Sequence, residues 1–130
     1  MKTILVTGGA GYIGSVVARR LVERDYNVVI LDALLRGNGK SLPKHVPFLQ
    51  VDIGNKGAVS LLLDSRNIDA VMHFAGFAYV GESMQKPGLY FKNNIEKNIR
   101  FLDALHVHGV NKIVFSSSCA VYGVPEQSPI

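Results

Sequence analysis

Thr7-Gly8-Gly9-Ala10-Gly11-Tyr12-Ile13-Gly14 is the stretch that decides the fold, because its glycines at 8, 11 and 14 stand between two segments of different periodicity. Before it, Lys2 to Thr7 is a short β-branched run, too continuously apolar for a strand with one wet face. It predicts a buried parallel strand. After it, Ile13, Val16, Val17, Ala18, Leu21 and Val22 recur at helical spacing between Gly11 and Arg24, with Arg19, Arg20, Glu23 and Arg24 mainly elsewhere on the wheel. That pattern predicts an amphipathic helix. Glycines at such a junction permit a tight turn, let the backbone approach a pyrophosphate and let the helix settle on the strand. Free amides of the first helical turn then face the anion.

Working outward, a second strand from Asn27 to Leu31 stops at Asp32, and residues 33 to 46, with Gly37, Asn38, Gly39, Ser41 and Pro43, read as a crossover loop. A third strand, roughly Pro47 to Val51, ends at Asp52. Lys56 to Asn67 is expected to be helical, Asp69 to Phe74 a fourth strand, and a long helical stretch runs from about Glu82 or Pro87 to His108, with Pro87 marking a helix start or kink. Gly109 suits a helix C-terminal cap, and Lys112 to Phe115 forms a fifth strand leading into Ser116-Ser117-Ser118. Strand and helix alternate throughout, so the strands must pair in parallel through right-handed crossovers. The expected fold is α/β: a Rossmann-like doubly wound parallel sheet in spatial order 3-2-1-4-5, a single domain over residues 1–130.

Asp32, at the end of the second strand, is placed to accept hydrogen bonds from the hydroxyls of an adenosine ribose and to repel a 2′-phosphate. NAD is therefore favoured over NADP, although Arg36 stands nearby. The plainer alternative is a carboxylate that caps a strand.

Composition bounds the remaining possibilities. With 48% hydrophobic and 18% charged residues in 130, the chain is globular, and its apolar runs are too short to span a membrane. Fourteen Lys and Arg against ten Asp and Glu leave +4, but the basic residues are dispersed, so no nucleic-acid stripe is expected. The surplus favours an anionic small ligand. The single cysteine, Cys119, and an N-terminus lacking a signal-peptide pattern point to the cytoplasm. No metal site is expected.

The motifs together resemble the extended short-chain dehydrogenase/reductase family, and within it the UDP-glucose 4-epimerases. The resemblance rests on Val6 to Ser15, Asp52-Ile53, His73-Phe74-Ala75-Gly76 with Val80-Gly81-Glu82-Ser83, and Phe115 to Ser118 with Val121-Tyr122-Gly123. It implies NAD as cofactor, held by Gly8, Gly11, Tyr12, Ile13, Gly14 and Asp32. It further implies that Asp52 and Ile53 flank the adenine and that Phe74, Ala75, Gly76, Asn93, Ser116 and Ser117 line the cofactor's path. Ser118 matches the family's catalytic serine, whose hydroxyl bonds the sugar 4-oxygen. Composition alone would make these serines a loop bonding its own backbone, Asn93 a surface residue and Asp52 a loop cap. Cys119 reads as structural rather than nucleophilic. Dehydratases of the superfamily usually carry an acid pair after the fifth strand, whereas Ser118-Cys119-Ala120 has no carboxylate, so the resemblance favours an epimerase. Ala120 and Ala78 depart from residues common in epimerases, threonine in the first case and lysine or serine in the second.

The family reaction also uses a tyrosine four residues before a lysine: the tyrosine takes the 4-hydroxyl proton while hydride passes to NAD. Four positions after Tyr12, Tyr26, Tyr79, Tyr90 and Tyr122 stand Val16, Ile30, Ser83, Asn94 and Glu126. The expectation is a truncated NAD-binding portion without the substrate domain, inactive alone, that meets a UDP-sugar only when a C-terminal half is supplied. A non-catalytic NAD-binding module or split-enzyme partner is the alternative. The uncovered fifth strand would favour self-association or a complementing chain.

Overall fold

Five strands, β1 (Thr3–Thr7), β2 (Asn27–Asp32), β3 (Phe48–Gln50), β4 (Ala70–His73) and β5 (Ile113–Phe115), pair in parallel in the order β3-β2-β1-β4-β5. The sheet is thus the expected one, with β1, β3, β4 and β5 trimmed by one residue at one or both ends and β2 extended by one, through Asp32. The computed structural model describes residues 1–124 and 126–127. The side chains of Ser41, Cys119 and Ala120 lie outside the described residues, as do Ser128, Pro129 and Ile130, and with them the structural reading of Cys119.

Side-chain alternation on β1 divides the core between two faces. Leu5, with Val29, Leu31 and Val71, packs against Val59, Leu62 and Leu63 of α2 (Lys56–Ser65) and Phe101, Ala104 and Leu105 of α5 (Lys97–Val107). Ile4 and Val6 point the other way, with Val28 and Ile30, onto Ala18 of α1 (Tyr12–Val22) and onto Leu42, Val46 and Phe48. Both faces of the central strands are covered, which is why these strands read as unbroken apolar runs. Burying each large aliphatic or aromatic side chain contributes about 1.5–3 kcal/mol.

The amphipathic face of α1 differs from expectation. Ile13 and Val16 are half exposed, and the buried positions are Gly14, Ser15 and Ala18. Small residues there let the helix lie close on the glycine turn at Gly8 and Gly9, so the larger apolar side chains are turned to its flanks.

The expected long helical stretch is also interrupted. It divides into α3 (Val80–Gln85), α4 (Pro87–Phe91), a π-helical turn (Lys92–Glu96) and α5. The first break has a local cause: Lys86 precedes a proline and leaves the helical region (φ −131°, ψ 58°), while Pro87 starts α4 at its first position. At the far end α5 stops as predicted. Gly109 adopts φ +71°, its amide bonds His106 O, and Val110 N bonds Leu105 O, the paired bonds of a Schellman cap.

At the sheet edge Ile113, Val114 and Phe115 are all exposed. Phe91, Ile95, Ile99 and Leu102 form a second exposed apolar row along α4 to α5. No helix among the described residues is long and apolar enough to cross a membrane.

Candidate functional site

The carboxyl ends of β1, β2 and β4 open onto one cavity of about 320 Å³. The glycine turn forms its floor. Gly8 takes φ +68°, a conformation other residues rarely adopt, and a Cβ there would fall 2.6 Å from Phe74 C and Ala75 N. The turn is tied to its neighbours by Gly8 N to Leu31 O at 2.9 Å and Gly11 N to Gly8 O at 3.0 Å. Gly11 caps α1 without a side-chain bond, and the first turn of α1 carries no acidic residue. The first-turn amides therefore have no side-chain cap and stand at the positive end of the helix dipole, where negative charge is favoured.

Asp32 closes the β2 side of the turn. Its Oδ2 accepts from Ala10 N (2.9 Å) and its Oδ1 from Leu34 N (2.8 Å). The carboxylate is thus both a loop clamp and a cavity-lining group; each oxygen keeps a lone pair after these bonds. Asp52 plays a similar double part. Its Oδ1 accepts from Gly54 N at 2.8 Å and its Oδ2 pairs with Lys97 Nζ at 2.5 Å. The loop-capping alternative is observed, and the carboxylate lines the cavity as well.

Of the residues predicted from sequence, Gly8, Gly11, Tyr12, Asp32, Asp52, Ile53, Phe74, Ala75, Gly76 and Asn93 line this cavity. Most of Ile53 is buried in the core beside it. Ile13 and Gly14 do not line it: Ile13 projects to solvent, and Gly14 lies beneath the turn, against Gly8. Ser116, Ser117 and Ser118 are outside it too, exposed beyond β5, where Ser116 N bonds His73 O at 3.0 Å. Their strand stands beyond β4, on the side of the sheet away from β2 and β3, so the serines are separated from Asp32 and Asp52.

Several groups around the cavity carried no sequence-based role. Asn94 grips the Phe77 peptide from both sides, donating to its carbonyl at 2.8 Å and accepting from its amide at 2.9 Å. Phe77 and Tyr79 line the cavity with Arg36, whose guanidinium lies 4.0 Å and 4.8 Å from their ring centroids. Arg36 is also paired with Glu82, which accepts from Tyr90 Oη at 2.8 Å. Arg36 and the Tyr90 hydroxyl hold the Glu82 carboxyl below the usual carboxylate range. Lys97 was visible only as a residue four after Asn93 on a helix, to whose Oδ1 it donates at 3.3 Å.

Beneath the turn, His73 is buried, with Nδ1 2.6 Å from Thr7 Oγ1 and its ring stacked between Phe101 and Phe115. Burial pushes its pKa below the ordinary histidine value, opposed in part by Asn98. Nε2 finds no hydrogen-bond partner among the described residues.

The family model for the NAD dependent epimerase/dehydratase family matches residues 4–130. The chain belongs to that family. It is similar to the UDP-glucose 4-epimerase of Lactobacillus helveticus, at 46% identity over 98% of this chain and 38% of that protein. It is also similar to UDP-arabinose 4-epimerase 1 of Arabidopsis thaliana, at 43% identity over 98% of this chain and 32% of that one. Among solved structures, the Stenotrophomonas maltophila UDP-glucose-4-epimerase with bound NAD and formylated UDP-arabinopyranose superposes with a TM-score of 0.90. It is 38% identical over all of this chain and 41% of its own length. The Rossmann-like doubly wound fold and the family resemblance expected from the motifs are therefore confirmed. The chain spans about a third of the length of the curated relatives it matches.

Proposed function

We propose that residues 1–130 are the NAD-binding part of a UDP-sugar 4-epimerase, an isomerase. The observation that carries this reading is the meeting, in one cavity, of the uncapped α1 N-terminus at Gly11 and the fixed carboxylate of Asp32. The residues fit the cofactor. The turn and helix amides hold the pyrophosphate, Asp32 receives the ribose hydroxyls, and Asp52, Ile53 and Asn93 surround the adenine end. Phe74, Ala75 and Gly76 let the dinucleotide pass close to the backbone toward β5. NAD, when bound, supplies a reversible hydride acceptor for sugar C4.

Ser118, with Ser116 and Ser117 beside it, stands at the carboxyl end of β5, where open α/β sheets place their chemistry. Its role in this reading is to hydrogen-bond the sugar 4-oxygen and orient the proton that leaves it. UDP-glucose and UDP-galactose are the proposed sugar pair. Because no tyrosine here stands four residues before a lysine, this chain needs a C-terminal remainder for turnover, and the apolar β5 edge is where a second chain would add.

NAD should raise the thermal midpoint in proportion to the logarithm of its concentration. Mixing with the rest of a related 4-epimerase, everything C-terminal to the segment matched here, should restore interconversion of UDP-galactose and UDP-glucose. A midpoint indifferent to NAD removes the cofactor site, while stabilisation by NAD without restored turnover favours a non-catalytic NAD-binding module.

A further inference from the structure

Arg36 poses a question that Asp32 does not answer. It stands four residues beyond Asp32, on the same loop and lining the same cavity, where an arginine commonly receives the 2′-phosphate of NADP. Its guanidinium is nevertheless committed elsewhere. It pairs with Glu82 at the start of α3 and lies against the rings of Phe77 and Tyr79. Glu82 is in turn held by the Tyr90 hydroxyl, and Phe77 by the edge of Tyr90 at 5.7 Å between centroids and by both arms of Asn94. The acceptor is therefore built into a braced cluster.

We infer that Glu82 is a specificity-determining residue of the cofactor site, which excludes NADP by holding Arg36 away from the 2′-phosphate. The inference rests on the dinucleotide reading of the cavity and extends it to a residue outside the cavity wall. Discrimination then has two parts. Asp32 repels the extra phosphate directly, and Glu82 denies it the nearest cation. With Nη2 bonded to Glu82 Oε2, the guanidinium offers a phosphate fewer free donors and a partly neutralised charge.

The test is calorimetric titration of the purified chain with NAD and with NADP, read as the ratio of the two Kd values. In Glu82→Ala, Arg36 loses its carboxylate, and the ratio Kd(NADP)/Kd(NAD) is expected to fall by about tenfold or more, the size of one charge-assisted hydrogen bond. In the double variant Arg36→Ala/Glu82→Ala, the ratio should return to within about threefold of the parent. Glu82→Gln, which keeps the shape of the acceptor, guards against a gross rearrangement of α3 and should give an intermediate ratio. A ratio unchanged in Glu82→Ala, or lowered equally in the double variant, overturns the inference while leaving the NAD site intact. A folded parent chain that binds neither nucleotide overturns the dinucleotide reading itself.

Discussion

Gly14→Ala tests the phosphate turn most directly. An alanine Cβ there would lie 2.2 Å from Gly8 O and 2.9 Å from Gly8 C and Gly9 Cα. That is about 1 Å short of ordinary contact in a close-packed interior, and every obstructing atom is backbone. No side chain can swing aside, so either α1 moves off the turn or the turn flattens. Overpacking of this kind costs about 1–3 kcal/mol, or roughly 3–15 °C in the thermal midpoint of a domain this size. The same displacement moves the amides at Gly11 and Tyr12 off a bound pyrophosphate and should weaken NAD binding by about tenfold or more, the size of one hydrogen bond to a charged group. Gly57→Ala is the matched control, since its Cβ would meet only Asn55 Oδ1 at 3.8 Å and its helix should gain up to about 1 kcal/mol. Thermal denaturation and calorimetric NAD titration of both variants decide the matter. If Gly14→Ala keeps parental stability and binds NAD within about threefold of the parent, the account of the turn is wrong.

His73 should make stability depend on pH. Its folded pKa lies below the ordinary value, so its contribution is complete above the unfolded pKa of about 6.5 and is lost as pH falls from there toward the folded value. Urea denaturation should show a smaller loss between neutral and mildly acid pH in His73→Gln, and equal slopes would count against the buried neutral imidazole. Phe101→Ala should cost about 3–5 kcal/mol, because the ring is 1% exposed and joins α5 to the sheet beneath His73. A chemical-denaturation loss under about 1 kcal/mol would show that the site collapses without strain. Sedimentation should show concentration-dependent association that Phe115→Glu weakens, since Phe115 is 63% exposed on the edge strand; a monomer at every concentration would refute the exposed edge as a docking surface.

The sheet was legible because each strand is buried or ends on a marked residue. Ile4 to Val6 and Val28 to Leu31 have no polar alternation to confuse their period, and Asp32 and Asp52 mark where β2 and the segment after β3 turn out. The site was legible where its chemistry is local, at the glycine turn and at Asp32. Pairings across the chain were not. Lys97 meets Asp52 and Arg36 meets Glu82 through tertiary geometry that no short window contains. The buried face of α1 escapes the sequence for a related reason. Periodicity identifies apolar positions, but which of them is covered depends on how closely Gly14 and Ala18 let the helix approach. The break after Gln85 had a visible cause in Pro87, whereas the π turn had none, since Lys92 to Glu96 reads as ordinary helix.

A π turn is wider than the α turns on either side, so the one at Lys92–Glu96 resets the rotation between the two parts of the rod. Phe101, Ala104 and Leu105 keep their places in the core, while Asn93, Asn94 and Lys97 reach, respectively, the cavity, the Phe77 peptide and Asp52. One rod thereby serves two tasks with separate facings: its later half packs on the sheet, and its earlier half turns polar side chains toward the cavity rim.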